Sequence, residues 1–131
     1  MTDEDKFARI LENSNCFSFS RYNYLIRHNI IPQTFIEIDN LAWKRNTLFV
    51  FEGSRGKFTD KINQLKERFN LFRYNKFSLV QEEGLPTFQN IRVFYYNLKT
   101  QRLIEINESG KILCTFSYKD IQELIQILGK L

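Results

Sequence analysis

The order of apolar patterns along the 131 residues predicts an α/β (α+β) fold, a central mixed sheet flanked by helices, in one domain spanning 1–131. Three observations carry this. Helical stripes alternate with blocks of strand-like alternation along the chain. Aromatics make up 15%, with 13 Phe and 6 Tyr against 2 Pro and 5 Gly, a mix that favours strands joined by short loops. Apolar residues at 43% and charged residues at 26% describe a globular chain with one core rather than a disordered one.

Each element has its own reason. Phe7, Ile10 and Leu11 recur at helical spacing, so residues 4–13 form a first helix. Residues 16–20 alternate and read as a short extended piece. Residues 21–29 read as a second helix with Tyr24, Leu25 and His28 on one face, ended by Ile31-Pro32. Strands follow at 34–39 and 47–52, joined by the polar turn 44–46. Gly53 to Gly56 breaks the pattern. Thr59 then caps a helix to about Asn70 that buries Ile62, Leu65 and Phe69. A strand is expected at 77–81 and a turn at Gly84-Leu-Pro86. Residues 92–98, 102–106 and 112–116 form a C-terminal β-meander. Ser117 caps a terminal helix with Ile121, Leu124, Ile125 and Leu128 as its apolar stripe.

Composition narrows the function classes. No apolar run approaches the ~18–20 residues that span a bilayer, so no membrane partner is expected. The acidic start, Met1-Thr-Asp-Glu-Asp5, argues against a signal peptide and for an intracellular, cytoplasmic protein. Cys16 and Cys114 lack metal-ligand spacing and read as free thiols, and with a single His a Cys/His zinc site is disfavoured. His28 reads as a partly buried helix residue rather than a catalytic base. The net charge of +4 is uneven. Residues 1–53 carry six Lys/Arg against seven Asp/Glu, and residues 54–131 carry thirteen against eight. That layout suits an acidic pocket beside a phosphate-attracting surface, or else a solvated basic face with no partner.

The chemistry concentrates at two strands that each end on a carboxylate, Asp39 and Glu52. Paired through the turn at 44–46, the two acids lie side by side, and like charges that close repel unless a cation sits between them. Mg²⁺ or Mn²⁺ suits such oxygen donors. Strand alternation puts Glu37 and Asp39 on one face, and Leu48, Val50, Glu52 and Ser54 on one face. Phe51 to Lys57 is not a phosphate-binding loop: Gly53 and Gly56 leave two residues where four are needed, and Phe58 stands where Ser or Thr would hold Mg²⁺.

The stretch Glu37-Ile-Asp39-Asn-Leu-Ala-Trp43 followed by Leu48-Phe-Val-Phe-Glu52-Gly-Ser54-Arg-Gly56-Lys-Phe58-Thr59 resembles the PD-(D/E)xK nuclease superfamily. The match covers residues 34–69, about a quarter of the chain. It implies a restriction-endonuclease-like fold with Asp39 as central metal ligand, Glu52 as the second and the Gly53 carbonyl as a third. The motif lysine, which would orient the attacking water and stabilise charge on the phosphate, is Ser54 here. Gly53 also departs from the apolar residue usual at that position. Lys57 is the better-placed substitute cation, since Arg55 points to the other face if the strand continues.

The leading expectation is therefore a nuclease-like subunit with weakened or lost catalysis that binds nucleic acid, or a protein partner or second copy, in a larger assembly. Arg55, Lys61, Lys66, Arg68, Arg73 and Lys76 are the expected nucleic-acid contacts, interleaved with Phe69, Phe72, Tyr74 and Phe77. Those rings are equally readable as core, and Phe94-Tyr-Tyr96 reads as sheet packing. Two alternatives stay open. One is an active Mg²⁺/Mn²⁺-dependent endonuclease using Asp39, Glu52 and Lys57. The other is a small inhibitor- or immunity-type protein whose motif is accidental.

Overall fold

The structure is a computed structural model that describes residues 1–28 and 30–131. It is an α+β fold: six strands form one open mixed sheet in chain order, with helices on both faces. The elements are α1 (Asp3–Ser14), β1 (Phe19–Arg27), β2 (Phe35–Lys44), β3 (Thr47–Gly53), α2 (Ile62–Tyr74), β4 (Asn90–Asn97), β5 (Arg102–Ile106), β6 (Ile112–Ser117) and α3 (Ile121–Lys130). Neighbouring strands are antiparallel except β3 and β4, which are parallel. Parallel strands need a long crossover, and α2 with the segment after it supplies that.

Local chemistry sets the turns. Arg45 and Asn46 both take positive φ, 53° and 63°, as a two-residue β2–β3 hairpin requires. The Asn97 side-chain oxygen accepts the N–H groups of Lys99 and Thr100, and that of Asn107 accepts those of Ser109 and Lys111, so each asparagine folds one turn of the β4–β5–β6 meander. Thr2 and Asp5 form a reciprocal capping box on α1.

The core has two halves. Leu48 and Val50 of β3 face α2, joining Ile38, Leu41, Leu65 and Phe72. Phe49 and Phe51 face α1 and α3, joining Phe7, Phe94, Tyr96 and Leu128. β3 is thus buried on both sides, as a parallel central strand should be. The two terminal helices pack on each other over the second half.

Strand parity changes within β1 and β2. Ile36 and Ile38 face α2, whereas Asn40 and Ala42 lie on the opposite face. The same inversion runs through β1, where Phe19 and then Tyr24 and Ile26 face α2. Between the pairs Tyr22–Asn40 and Tyr24–Ile38, Asn23 adopts a left-handed φ of 49° opposite Asp39. The strict alternation expected to put Glu37 and Asp39 on one face is therefore broken at Asp39 itself.

Several expected elements differ. Residues 21–27 belong to β1 rather than a helix, because pairing with β2 satisfies their backbone, buries Ile26 and half-buries Tyr24 two positions before it. His28 is half-buried as expected but sits at a strand end, its Nδ1 accepting the N–H groups of Ile30 and Ile31; Asn29 lies outside the described residues. The expected strand at 77–81 is instead a π-helical turn, Ser78–Glu82, where only Leu79 is buried. β2 runs on to Lys44 because Leu41, Ala42 and Trp43 also have core to fill. A 3₁₀ turn, Phe58–Asp60, takes the place of the Thr59 cap, and Asp120 rather than Ser117 caps α3.

Gly53, unexpected from the motif, has a packing reason. A Cβ there would lie 2.5 Å from the Tyr96 ring. That ring stacks on Phe7 with centroids 4.0 Å apart and donates its hydroxyl to Asn40 Oδ1 at 2.7 Å. Gly53→Val is expected to lower stability by about 1–3 kcal/mol through overpacking. Phe7→Ala is expected to cost about 3–5 kcal/mol. Urea titration of both checks this; a Gly53→Val midpoint equal to wild type would show that the Tyr96 ring moves aside freely.

Candidate functional site

The β2–β3 pairing runs from Lys44–Thr47 to Asn40–Phe51, so Asp39 and Glu52 come next, at the open end of the hairpin. The Asp39 N–H donates to Glu52 Oε1 at 2.9 Å, and the Gly53 N–H donates to Asp39 Oδ2 at 2.7 Å. Each acid thus accepts from the backbone of the opposing strand. The predicted pair is brought together.

α2 supplies what the sequence reading missed. Gln64 and Arg68 stand one turn apart on the helix face that packs on β3. Glu52 Oε2 accepts from Gln64 Nε2 at 3.1 Å and from Arg68 Nε at 2.7 Å, and a second Arg68 nitrogen forms an ion pair with it at 2.7 Å. The ion pair is sealed, its side chains only 5% and 2% exposed. The signal was present in the periodicity: Leu65, Arg68, Phe69 and Phe72 form one i, i+3, i+4, i+7 stripe, which places Arg68 inside the apolar face.

Asp39 has no such cation. Burial, then the negative Glu52 beside it, push its carboxyl up to about 7, with the Gly53 N–H opposing and Glu4 and Glu37 adding to the rise. Burial likewise pushes the Tyr96 phenol well above its usual range.

As arranged, these residues do not fit a divalent ion. One Glu52 oxygen already takes two N–H donors, and a guanidinium neutralises it at contact distance. A second cation there would be repelled. Among the described residues, no group of three or more His, Cys, Asp or Glu side chains could hold a metal.

The remaining predicted residues disperse. Ser54 closes its loop by accepting the Gly56 N–H, and its own N–H donates to the Tyr96 carbonyl. Lys57 does not join the carboxylates; it is exposed and lines a separate cleft with Arg55, Thr59, Tyr95, Thr100 and Arg102. Arg55 holds both oxygens of Asp3, fixing the loop to the first turn of α1. Arg73 pairs bidentately with Glu108. Lys76 lies over the Phe88 ring, 5.3 Å from its centroid. Lys66 runs its stem along Gly110, and Lys61 is half-buried at the start of α2. Arg68, expected to contact nucleic acid, is inaccessible because Glu52 has captured it. The interleaved aromatics divide: Phe69 and Phe72 are core, while Tyr74 and Phe77 are exposed. Phe94, Tyr95 and Tyr96 pack in the sheet as expected.

No helix among the described residues is long and apolar enough to cross a membrane, and both cysteines are free. No protein-family model matches the chain.

Arg68→Ala is expected to lower stability by about 3–5 kcal/mol, since it strands a buried Glu52 charge. Asp39 gives a pH dependence. Its unfolded pKa is near 3.9 and its folded value about 7, so between these the folded state holds a proton that the unfolded chain has released. Stability contributed by that proton is present at low pH and is lost as pH rises through about 7. Melts in EDTA between pH 5 and pH 8 are expected to show this fall in wild type and a flatter profile in Asp39→Asn. Equal slopes would place the titration elsewhere.

Proposed function

We propose that the chain is a nuclease-like domain, of restriction-endonuclease-like architecture, that has exchanged cleavage for binding and works as a nucleic-acid-holding subunit inside cells. The observation that carries this is the use of Glu52 as a structural anchor for α2. A catalytic carboxylate must leave lone pairs for a metal or a water, and the Oε2 of Glu52 is saturated by Arg68 and Gln64. Ser54 supplies no charge at the lysine position, and Lys57 is in another cleft. The acids nevertheless stand on neighbouring strands where the motif puts them, which supports the ancestry.

Binding is best supported at the cleft between the loop after β3 and the β4–β5 hairpin. Arg55, Lys57 and Arg102 line it with the hydroxyl-bearing Thr59 and Thr100, and no carboxylate lines it. A cationic groove with neutral donors suits a phosphodiester backbone. Within an assembly, a protein contact has its own support: β1 is a sheet edge, and Tyr22 and Leu25 on it, with Phe35 on β2 beside it, are exposed.

Lys57→Glu with Arg102→Glu is expected to weaken oligonucleotide binding at least tenfold and to reduce the salt slope by about two, while wild type shows no nicking with Mn²⁺. Fluorescence anisotropy over a salt series, with a nicking assay alongside, measures both. Cleavage lost in Asp39→Ala would establish the active endonuclease instead. Salt-insensitive or absent binding would move the function to protein contacts.

A further inference from the structure

We propose that the cleft between α1 and α3 is a binding site for a small amphipathic organic anion, an apolar body carrying one carboxylate head. It stands apart from the nuclease-like reading, because none of Asp39, Glu52, Lys57 or Arg102 lines it.

The cleft holds about 990 Å³, at the upper end of the range for small-molecule sites. Its wall from α1 follows from helical spacing, since Lys6, Arg9, Ile10 and Asn13 fall at i, i+3, i+4 and i+7. The start of α3 and the β4–β5 turn supply the rest, and Ile10, Leu98, Leu124 and Ile125 make much of the lining apolar. Lys6, Arg9 and Lys119 are exposed along it, and none is in an ion pair among the described residues. Asp120 is the one carboxylate in the lining, and it already caps α3 by accepting the Glu123 N–H. The charge therefore favours an anion, and the apolar lining an organic one.

Tyr118 is an independent sign of a ligand. It lines the same cleft, is only 7% exposed, and its buried hydroxyl has no hydrogen-bond partner. Such a hydroxyl is costly, and a phenylalanine would pack the same ring without that cost. Burial holds the phenol above its usual range, so it is a donor at neutral pH. A carboxylate oxygen in the cleft is the acceptor it lacks, with Lys6, Arg9 and Lys119 at hand for the charge.

The test is calorimetric titration of the full chain with octanoate near neutral pH, with octanol and acetate as probes of the body and the head alone. Octanoate is expected to bind with a Kd of about 1 mM or tighter, octanol about tenfold more weakly and acetate not at all. Lys6→Gln/Arg9→Gln/Lys119→Gln is expected to weaken octanoate about tenfold. Tyr118→Phe is expected to weaken it about fivefold, while its ligand-free Tm holds or rises. Octanol binding as tightly as octanoate would overturn the proposal. So would an octanoate affinity that neither variant changes, or no octanoate binding below about 10 mM.

Discussion

The buried ion pair between Glu52 and Arg68 is the constraint on which the rest of the arrangement depends. One carboxylate ties three elements together: it belongs to β3, accepts a backbone N–H from β2 through Asp39, and anchors α2 through Arg68 and Gln64. Such a pair gains little net stability over a well-packed apolar contact, because both charges lose their water. Its force is conditional: with either partner gone, the other charge is stranded. Helix position, hairpin end and local charge are thereby coupled at one point.

The opposite face meets the same point through Tyr96. Its ring occupies the space that a side chain at position 53 would fill, stacks on Phe7 and bonds Asn40, whose amide in turn donates to the Glu4 carbonyl of α1. The parity change in β2 makes this geometry, since it sends Ile38 toward α2 and Asn40 toward α1 with Asp39 between them. Asp39 is half-buried between them, and that burial beside Glu52 is what raises its pKa.

Much of the fold was legible, and the failures have physical causes. The β2–β3 hairpin, the C-terminal meander and the terminal helix carry strong alternation or helical stripes bounded by Asn and Gly turns, so local signals agreed with the tertiary result. Residues 21–27 misread because Tyr24, Leu25 and His28 fall at helical spacing by coincidence, while the strand state is set by pairing with β2, a contact no local window contains. Residues 77–81 misread because their apolar positions are near the strand period, although only Leu79 is buried. At the site, the Asp39–Glu52 pairing followed from hairpin register. The role of Arg68 did not, because its charge suggested a solvent-facing contact although its position in the helical stripe placed it inside. The two polar partners of Glu52 are 12 and 16 residues away in sequence, beyond any strand motif.

The most direct measurement of the central claim is a double-mutant cycle on Glu52→Gln and Arg68→Met, followed by urea unfolding at pH 7. If the pair anchors the site, each single variant is destabilised by about 3–5 kcal/mol, and the double variant is more stable than the sum of the two losses allows by several kcal/mol. Additive losses, within about 0.5 kcal/mol, would mean that the two side chains do not depend on each other, and the account built on their pairing would fail.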